Sequence, residues 1–283
     1  MDSAGEGWPQ DVPMAPSLPM REFVELVMTR GLERYRELPW RNISDPYAVW
    51  ISEVMLQQTQ VARVDGRWQR WMERFPVVDA LAEADPGDVL EEWQGMGYNR
   101  RALSLLRAAR QIVAAGEFPK EEQELVVLPG IGPATAAGIR AFAYNLPGVY
   151  LETNVRTVFL HELFPCETDV PDRALVPLVR ASCPKDLPRN WYYALLDYGA
   201  WLKRTVPNPS RRSRAHVRQS RFEGSHRQKR GEAVRMLLAA RGSGVTAEDV
   251  SHALSVSESD ARTLLDELAE EGFCAQRDSR WYV

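Results

Sequence analysis

Cysteine is scarce, and the three that occur are not spaced to hold a metal. Cys166, Cys183 and Cys274 are far apart in the 283-residue chain, and there is no Cys-x-x-Cys pair. The four histidines do not pair at metal-ligand spacing either. This pattern argues against a disulfide framework and against a closed zinc or iron–sulfur site, so we expect a reducing compartment and no cofactor.

Long apolar runs and strand-like alternation are also missing. No segment approaches the roughly 18 apolar residues of a membrane-spanning helix, and there is no signal-peptide pattern. No convincing strand precedes residue 272. The sequence therefore predicts a soluble, cytoplasmic and largely helical protein that makes no membrane contact and is a monomer.

Net charge is small but unevenly distributed. The formal balance is −4, from 35 Lys and Arg against 39 Asp and Glu. Residues 203–235 hold eleven Lys or Arg and two Glu, a local balance of +9 that leaves −13 for the rest. A basic strip on an acidic body is a typical footprint for a polyanion, so we predict a strap that contacts phosphates; a merely solvated linker is the alternative.

Cap and periodicity signals predict helices along most of the chain. Asp45 and Asp85 each precede a proline, which combines a capping side chain with a proline in the first turn. Another helix is predicted after Thr59, with an apolar stripe that continues to Phe75. Residues 99–115 are the clearest amphipathic helix. Residues 225–283 read as three helices and a short hairpin, which predicts a winged helix.

The chain is organised around a glycine hairpin at residues 128–132. Gly130 and Gly132 tolerate positive φ and let backbone N–H groups approach a partner. Pro133 then begins a helix built from small residues. Unpaired N–H groups and the positive end of the helix dipole point the same way, which predicts an anion site. On its own, the hairpin also fits an ordinary helix–helix turn.

Five motifs follow one another in the chain. They are LPWR at 38–41, SEVMLQQTQV at 52–61, GMGY at 95–98, LPGIG at 128–132 and ETNVR at 152–156. In this order and spacing they closely resemble the helix-hairpin-helix base-excision DNA glycosylases, nearest to the MutY-like adenine–DNA glycosylase branch. The SEVMLQQTQV run is highly specific, and the resemblance covers roughly residues 20–205.

The resemblance implies an all-α fold of two helical subdomains with the active site in the cleft between them. We accordingly expect five segments along the chain. They are a disordered tail (1–18), a six-helix barrel subdomain (about 45–145), a second subdomain (19–44 plus 146–205), a basic linker (206–224) and the winged helix (225–283).

The chemistry of base release requires two carboxylates. One gives a proton to the leaving base, and the other places negative charge beside a developing oxocarbenium ion. Glu53 lies in an apolar stretch that should raise its pKa, and by resemblance it would protonate the adenine ring nitrogen. Glu152 would be the second carboxylate, with Asn154 supporting it. The alternatives are a solvent-facing helix glutamate at 53 and a helix-capping glutamate at 152.

Two positions depart from the family pattern. The family usually has Asp-Gly where this chain has Glu152-Thr153, so the carboxylate is kept with one added methylene group. The lyase branch has a Schiff-base lysine two residues after the second hairpin glycine, and here that residue is Ala134. We therefore predict a monofunctional enzyme without strand-cleaving lyase activity.

The remaining motif residues are expected to handle DNA, because extruding a base requires groups that fill the gap and hold the backbone. By resemblance, the residues that bind and flip the base are Arg41, Gln57, Gln58, Thr59, Tyr98 and Ala134. Tyr98 would be the wedge beside the opposite base, with a core tyrosine as the alternative. The phosphate-binding residues would be Gly130, Ile131, Gly132, Arg211, Arg212, Arg214, Arg218 and Arg227. The resemblance also allows a sodium or potassium ion at the hairpin carbonyls.

Two features of relatives are missing. Many relatives hold a [4Fe–4S] cluster with four cysteines after the last helix, whereas residues 203–230 contain none, so we expect no cluster. The domain that recognises 8-oxoguanine is replaced by the predicted winged helix. Its third helix, 257–272, carries six acidic residues and one arginine, so phosphates should repel it. We expect the domain to pack on the catalytic body or to bind a protein, with Arg277 and Arg280 of the wing still able to touch DNA.

The sequence therefore predicts a monofunctional DNA glycosylase of base excision repair, associated with the nucleoid. Its partner would be double-stranded DNA with a mispaired or damaged base, most simply adenine opposite 8-oxoguanine or guanine. Two alternatives stay open. One is a glycosylase for another base, such as hypoxanthine, uracil or an alkylated purine, and the other is a non-catalytic DNA-binding regulator.

Overall fold

The computed structural model describes residues 7–217 and 221–283, which are mostly helical. The elements are α1 (Met20–Leu32), α2 (Pro46–Leu56), α3 (Val61–Val64), α4 (Arg67–Arg74), α5 (Val78–Ala82), α6 (Pro86–Glu92), α7 (Arg100–Ala115), α8 (Glu122–Leu125), α9 (Pro133–Tyr144), α10 (Thr153–Glu162), α11 (Asp172–Ser182), α12 (Pro188–Thr205), a 3₁₀ turn (Pro209–Arg212), α13 (His226–Ala239), α14 (Ala247–Leu254), α15 (Glu258–Glu270), β1 (Ala275–Arg277) and β2 (Arg280–Tyr282). The helical fold class with a small β wing is confirmed. None of the helices within the described ranges has the length and apolarity needed to cross a bilayer.

The chain forms two compact units, each assembled from segments that are distant in sequence. Unit 1 comprises Met1–Glu53, Pro119–Val127 and Ile131–Arg218, and unit 2 comprises Val54–Phe118, Leu128–Gly130 and Gln219–Val283. These limits differ from the predicted segments, because the C-terminal helices group with residues 54–118 instead of standing apart.

Unit 1 is built on the packing of α12 against α1 and α10. The core includes Phe23 of α1, Phe159 of α10 and Trp191 of α12, all fully buried. Close approach requires glycine at two places: a Cβ on Gly31 would lie 2.3 Å from Ala194, and one on Gly199 would lie 2.3 Å from the carbonyl oxygen of Asn154. The first turn of α10 is therefore held directly against α12.

The N-terminal segment differs from the predicted disordered tail over residues 7–18. Trp8 Nε1 donates to the carbonyl of Leu18 at 2.7 Å, and the Trp8 ring lies 5.7 Å from that of Phe23. The Ser17 amide donates to the carbonyl of Leu163 at 3.0 Å. Packing of this aromatic side chain against the core of unit 1 orders the segment despite its turn-forming composition.

The basic segment after α12 is tied to unit 1 by hydrogen bonds. Arg212 donates to the carbonyls of Leu160 at 2.7 Å and Glu167 at 3.1 Å, and also to that of Phe164. Its own carbonyl accepts from the amide of Val170 at 3.0 Å. The guanidinium therefore satisfies orphan carbonyls at the end of α10, as a C-terminal cap would.

In unit 2, the helix predicted after Thr59 is divided in two. Gln60 precedes α3, and Gly66, with φ of +77°, separates α3 from α4. The left-handed glycine turns the chain, so that Trp71 of α4 packs edge-on against Trp93 with 5.6 Å between ring centroids. The apolar periodicity continues across this break, so the sequence pattern did not reveal it.

Residues 225–283 contain the three helices and the hairpin of the predicted winged helix. β1 and β2 pair antiparallel, and the buried Trp281 of β2 also exchanges two backbone hydrogen bonds with Val245, at 2.9 and 3.0 Å. Ion pairs link this domain to α6 and α7: Arg241 contacts Asp85 at 2.7 Å, and Arg100 contacts Glu271 at 2.6 Å.

Candidate active site

Glu53 lies on α2 with its side chain enclosed by unit 1. It is 8% exposed, so the solvent-facing alternative does not hold. A Cβ added to Gly138 of α9 would lie 2.3 Å from Glu53 Oε2 and 2.9 Å from the ring of Tyr150. The small residues of α9 therefore leave the space in which this carboxyl group fits.

Burial raises the pKa of Glu53 from its usual 4.5 to about 8. The charge of Glu152 pushes this pKa further upward, and a hydrogen bond with Tyr150 pulls it downward. A pKa near 8 keeps most of the Glu53 carboxyl groups protonated at neutral pH. Glu53 can therefore act as a general acid there.

Glu152 is the N-cap of α10. Its carboxylate accepts from the amides of Asn154 at 2.6 Å and Val155 at 3.0 Å, and from Asn154 Nδ2 at 3.3 Å. The capping alternative is therefore correct as a description of its local role. Capping does not exclude chemistry, since the same hydrogen bonds fix the carboxylate in one orientation.

The surroundings of Glu152 favour its ionised form more than those of Glu53 do. Burial raises the pKa of Glu152 above its usual value, and the donors from Val155 and Asn154 and the ammonium group of Lys203 offset only part of that rise. Burial in turn lowers the pKa of Lys203, and the charge of Glu152 offsets part of that fall. Both glutamates thus have raised pKa values, and Glu152 has more donors, together with a nearby cation, that favour its ionised form.

Asn154 has an unsatisfied acceptor beside this carboxylate. Its Nδ2 donates to Glu152, whereas Oδ1 is buried and has no hydrogen-bond partner among the described residues. Buried polar atoms are nearly always paired, so this oxygen is suited to receive a hydrogen bond from water or a bound molecule.

Arg41 is held in a buried ion pair, which leaves its guanidinium committed to the protein. It is 6% exposed and donates to both carboxylate oxygens of Asp197, at 2.7 and 2.8 Å. It also lies over the ring of Tyr193 at 4.5 Å. The structure thus gives Arg41 a structural role in unit 1, and its contact with the target base stays a prediction.

Arg101 organises the two loops of unit 2 that carry predicted DNA-handling residues. It donates to the carbonyl of Gln57 at 2.6 Å, to Thr59 Oγ1 at 3.2 Å and to the carbonyl of Gly97 at 3.0 Å. Gln57 Nε2 contacts the hairpin carbonyl of Gly130 at 3.4 Å. One guanidinium therefore sets the relative positions of the loops at 57–59 and 96–98.

Tyr98 and Gln58 both have left-handed backbone conformations and line the same groove. Their φ angles are +48° and +52°. Tyr98 is 40% exposed, which argues against a core tyrosine. Arg227 of α13 donates to the Tyr98 hydroxyl at 3.0 Å, so the predicted wedge and one predicted phosphate contact lie together.

The hairpin has one glycine in the left-handed region and a second at the start of α9. Gly130 has φ of +80°, and a Cβ there would lie 2.8 Å from Ser104. Gly132 is the N-cap residue of α9 and has no side chain that could cap the helix. Ile131 is buried, and Ala134 lies partly exposed in the first turn. The phosphate and monovalent-ion assignments at this hairpin stay predictions.

Two of the predicted phosphate-contacting arginines have partners within unit 1. Arg212 caps α10, and Arg214 forms an exposed ion pair with Asp169. Their contacts with phosphates stay predictions. Arg211 is exposed and remains a candidate phosphate contact. Arg218 lies outside the described residues.

Sequence patterns did not identify four residues of these sites. Gly138, Tyr150 and Lys203 surround the two glutamates, and Arg101 orders the loops. Tyr150 stands two residues before Glu152, and this closeness in sequence is the signal that could have identified it. The others come together only in the folded chain.

The residues present do not fit an iron–sulfur cluster. Within the described ranges there is no group of three or more His, Cys, Asp or Glu arranged to hold a metal ion. The segment after α12, which carries the cysteines in many relatives, instead presents the capping guanidinium of Arg212.

Comparison with known proteins shows where this chain belongs by sequence. Residues 51–176 match the model of the HhH-GPD superfamily base excision DNA repair protein. The adenine DNA glycosylase of Mycobacterium tuberculosis strain H37Rv is 33% identical over 235 residues, covering 73% of this chain and 75% of that protein. The adenine DNA glycosylases of Mycolicibacterium smegmatis and Buchnera aphidicola are 36% and 33% identical, covering 58% and 59% of this chain. The chain spans 58% and 48% of the length of those two relatives.

Solved structures agree on the fold. A thermostable thymine-DNA glycosylase aligns with a TM-score of 0.57 at 22% identity, covering 64% of this chain and 86% of that chain. Endonuclease III in a non-covalent DNA complex aligns with a TM-score of 0.51 at 18% identity, covering 66% and 87%. At these identities the likeness concerns the fold alone.

Proposed function

Because the chain belongs to the HhH-GPD superfamily of base excision DNA repair proteins, we propose that it is a monofunctional DNA glycosylase that hydrolyses the bond between adenine and deoxyribose in mispaired duplex DNA. The observation that carries this proposal is the buried, protonated Glu53 beside the hydrogen-bonded Glu152. The names of the relatives in the comparison favour adenine as the base.

The two glutamates divide the chemistry of base release. Glu53 donates its proton to a ring nitrogen of the leaving base as the base–sugar bond breaks, and the bonding electron pair leaves with the base. Positive charge then develops on the sugar, and the ionised Glu152 stabilises it electrostatically. Water adds to the sugar carbon, and its proton passes to the Glu53 carboxylate, which restores the acid and completes hydrolysis. The open acceptor Asn154 Oδ1 is available to receive a hydrogen bond from that water.

Ala134 supports the monofunctional assignment. The residue two places after the second hairpin glycine has no amine, so no Schiff base with the sugar forms there. We therefore expect that the strand stays intact after base release and is cut only when alkali is added.

The proposal is tested by single-turnover base release from four duplexes, with and without alkali. The duplexes carry adenine opposite 8-oxoguanine, adenine opposite guanine, hypoxanthine opposite thymine, and uracil opposite guanine. Wild-type protein should release adenine. Glu53→Gln should bind the duplex but release adenine at least about a hundredfold more slowly. Glu25→Gln, which changes an exposed carboxylate on α1, is the matched control and should behave as wild type.

Three results would overturn the proposal. Release of hypoxanthine or uracil without adenine would replace the substrate. Duplex binding without any base release would favour the non-catalytic regulator. Rapid adenine release by Glu53→Gln would remove the assigned acid.

A further inference from the structure

Unit 2 contains a groove that brings together residues from separate stretches of the sequence. It has a volume of about 1270 Å³, and its lining includes the loop around Gln58, the loop around Tyr98 and one side of α13. Clefts that bind small molecules usually measure about 300–1,000 Å³. The groove is therefore larger than a small-molecule site requires and can accommodate a segment of polymer.

Arginines dominate the lining of this groove. Seven of the described lining residues are Arg, and none is Asp or Glu. Arg67 donates to the carbonyl of Gln94, and Arg101 donates to carbonyls of the two loops. A carbonyl partner orients a guanidinium but does not cancel its charge. Arg100 and Arg230 pair with Glu271, and Arg235 pairs with Glu232, so these three contribute less charge than the others. No carboxylate residue belongs to the described lining, so the excess of arginine still gives the groove a positive potential suited to phosphates.

The wedge residue Tyr98 lies within this positive lining. Its ring centroid is 5.6 Å from the guanidinium carbon of Arg101 and 6.0 Å from that of Arg227. The hydroxyl accepts from Arg227 at 3.0 Å. An aromatic ring held among guanidinium groups resembles the stacking platforms on which proteins hold nucleic-acid bases.

The acidic helix α15 explains how α13 comes to form a wall of the groove. Glu271 pairs with Arg230 of α13 and with Arg100 of α7, each at 2.6 Å, and Glu267 pairs with Arg230 at 3.2 Å. These carboxylates fasten α13 beside the start of α7. The negative charge of α15 thus has an internal use, while α13 presents Arg227 and Arg235 to the groove.

We propose that this groove binds the phosphodiester backbone of the DNA substrate, and that α13 of the C-terminal domain supplies one wall of the binding surface. The inference rests on the proposed function for the identity of the polymer. It gives the C-terminal domain a direct role in holding DNA, through its first helix instead of its third.

The experiment compares the affinity of full-length variants for a fluorescent mispaired duplex at salt concentrations from 50 to 200 mM. Arg227→Ala and Arg235→Ala remove the groove charges contributed by α13. Each single variant should reduce the magnitude of the slope of log K against log salt by about 1, and the double variant should reduce it by about 2. The affinity should also fall several-fold at the upper salt limit. Arg262→Ala is the control, because Arg262 is a surface arginine of the same domain in a helical ion pair and does not line the groove.

The outcomes separate this inference from the proposed function. An unchanged slope in both groove variants, or an equal loss in Arg262→Ala, overturns the groove assignment even if adenine is released normally. Reduced slopes in the groove variants alone support it, even if wild-type protein releases no base. Circular dichroism of each variant ensures that an affinity loss is not a folding defect.

Discussion

At the scale of single residues, the proposed chemistry needs one carboxylic acid protonated and a second one ionised. Among the described residues, Glu53 has a side-chain donor in Tyr150, whereas Glu152 has two backbone amides, an asparagine donor and a nearby lysine. The difference follows from where each residue stands on its helix. An N-cap receives amide donors, and a mid-helix residue does not.

Glu53 should destabilise the fold as pH rises. Its pKa is about 8 in the folded protein and near 4.5 when unfolded. The stability contributed by the protonated acid is present below pH 4.5 and is lost as pH rises towards 8, because the unfolded chain ionises first. Glu53→Gln has no carboxyl group to ionise, so this loss of stability does not occur in the variant. Its free energy of unfolding, relative to that of wild type, should therefore rise by more than about 1 kcal/mol between pH 5 and pH 8. Urea unfolding at both pH values measures this, and an equal gain in Glu25→Gln would contradict the assignment.

Tyr150 should set the alkaline limit of base release. Its hydrogen bond lowers the pKa of Glu53, so removal of the hydroxyl in Tyr150→Phe should raise that pKa and move the alkaline limb of kcat to higher pH. Tyr198→Phe is the matched control, since Tyr198 is a buried tyrosine whose hydroxyl donates to Glu162. A limb that stays in place, or that moves equally in the control, would show that Tyr150 only fills space.

At the scale of elements, the side chain of Arg212 anchors the segment after α12 together with backbone hydrogen bonds to Val170. The 3₁₀ turn Pro209–Arg212 carries two neighbouring arginines with different surroundings. Arg212 reaches three carbonyls of unit 1, and Arg211 is exposed.

Arg212→Ala should therefore cost about 1–3 kcal/mol of unfolding free energy, because it leaves carbonyls at the end of α10 without a partner. Arg211→Ala removes the same charge from the adjacent position and should stay within about 0.5 kcal/mol of wild type. Chemical denaturation of both variants gives the comparison. Equal effects of the two substitutions would show that charge, and not capping, matters in this segment.

At the scale of the whole molecule, unit 2 combines helices from two separate parts of the chain. Ion pairs of Arg241 with Asp85 and of Arg100 with Glu271 join residues 219–283 to residues 54–118. The C-terminal domain is therefore part of a structural unit that also contains the loops at Gln57 and Tyr98.

Loss of these ion pairs should loosen the C-terminal helices selectively. Hydrogen exchange of the double variant Arg241→Ala, Glu271→Gln should show faster exchange in α13 with unchanged protection in α10 of unit 1. Arg214→Ala, which breaks an exposed pair with Asp169 in unit 1, is the control and should leave α13 unchanged. Unaltered α13 protection in the double variant would mean that apolar packing alone holds the domain.

The sequence by itself determined the helical class and the start of the helix after Asp85, and it predicted the glycine hairpin and the roles of Glu53 and Glu152. The helical class and the helix start depend on local rules of capping and periodicity, and the predicted roles of the two glutamates depend on the resemblance of the motifs. Only the tertiary structure decided that Arg41 and Arg212 serve the fold, that Tyr150 and Lys203 adjoin the glutamates, and that α13 borders Tyr98. The physical reason is that a side chain's partner is set by which distant helices meet. A charged residue looks the same in sequence whether it faces a carboxylate, a row of carbonyls or solvent.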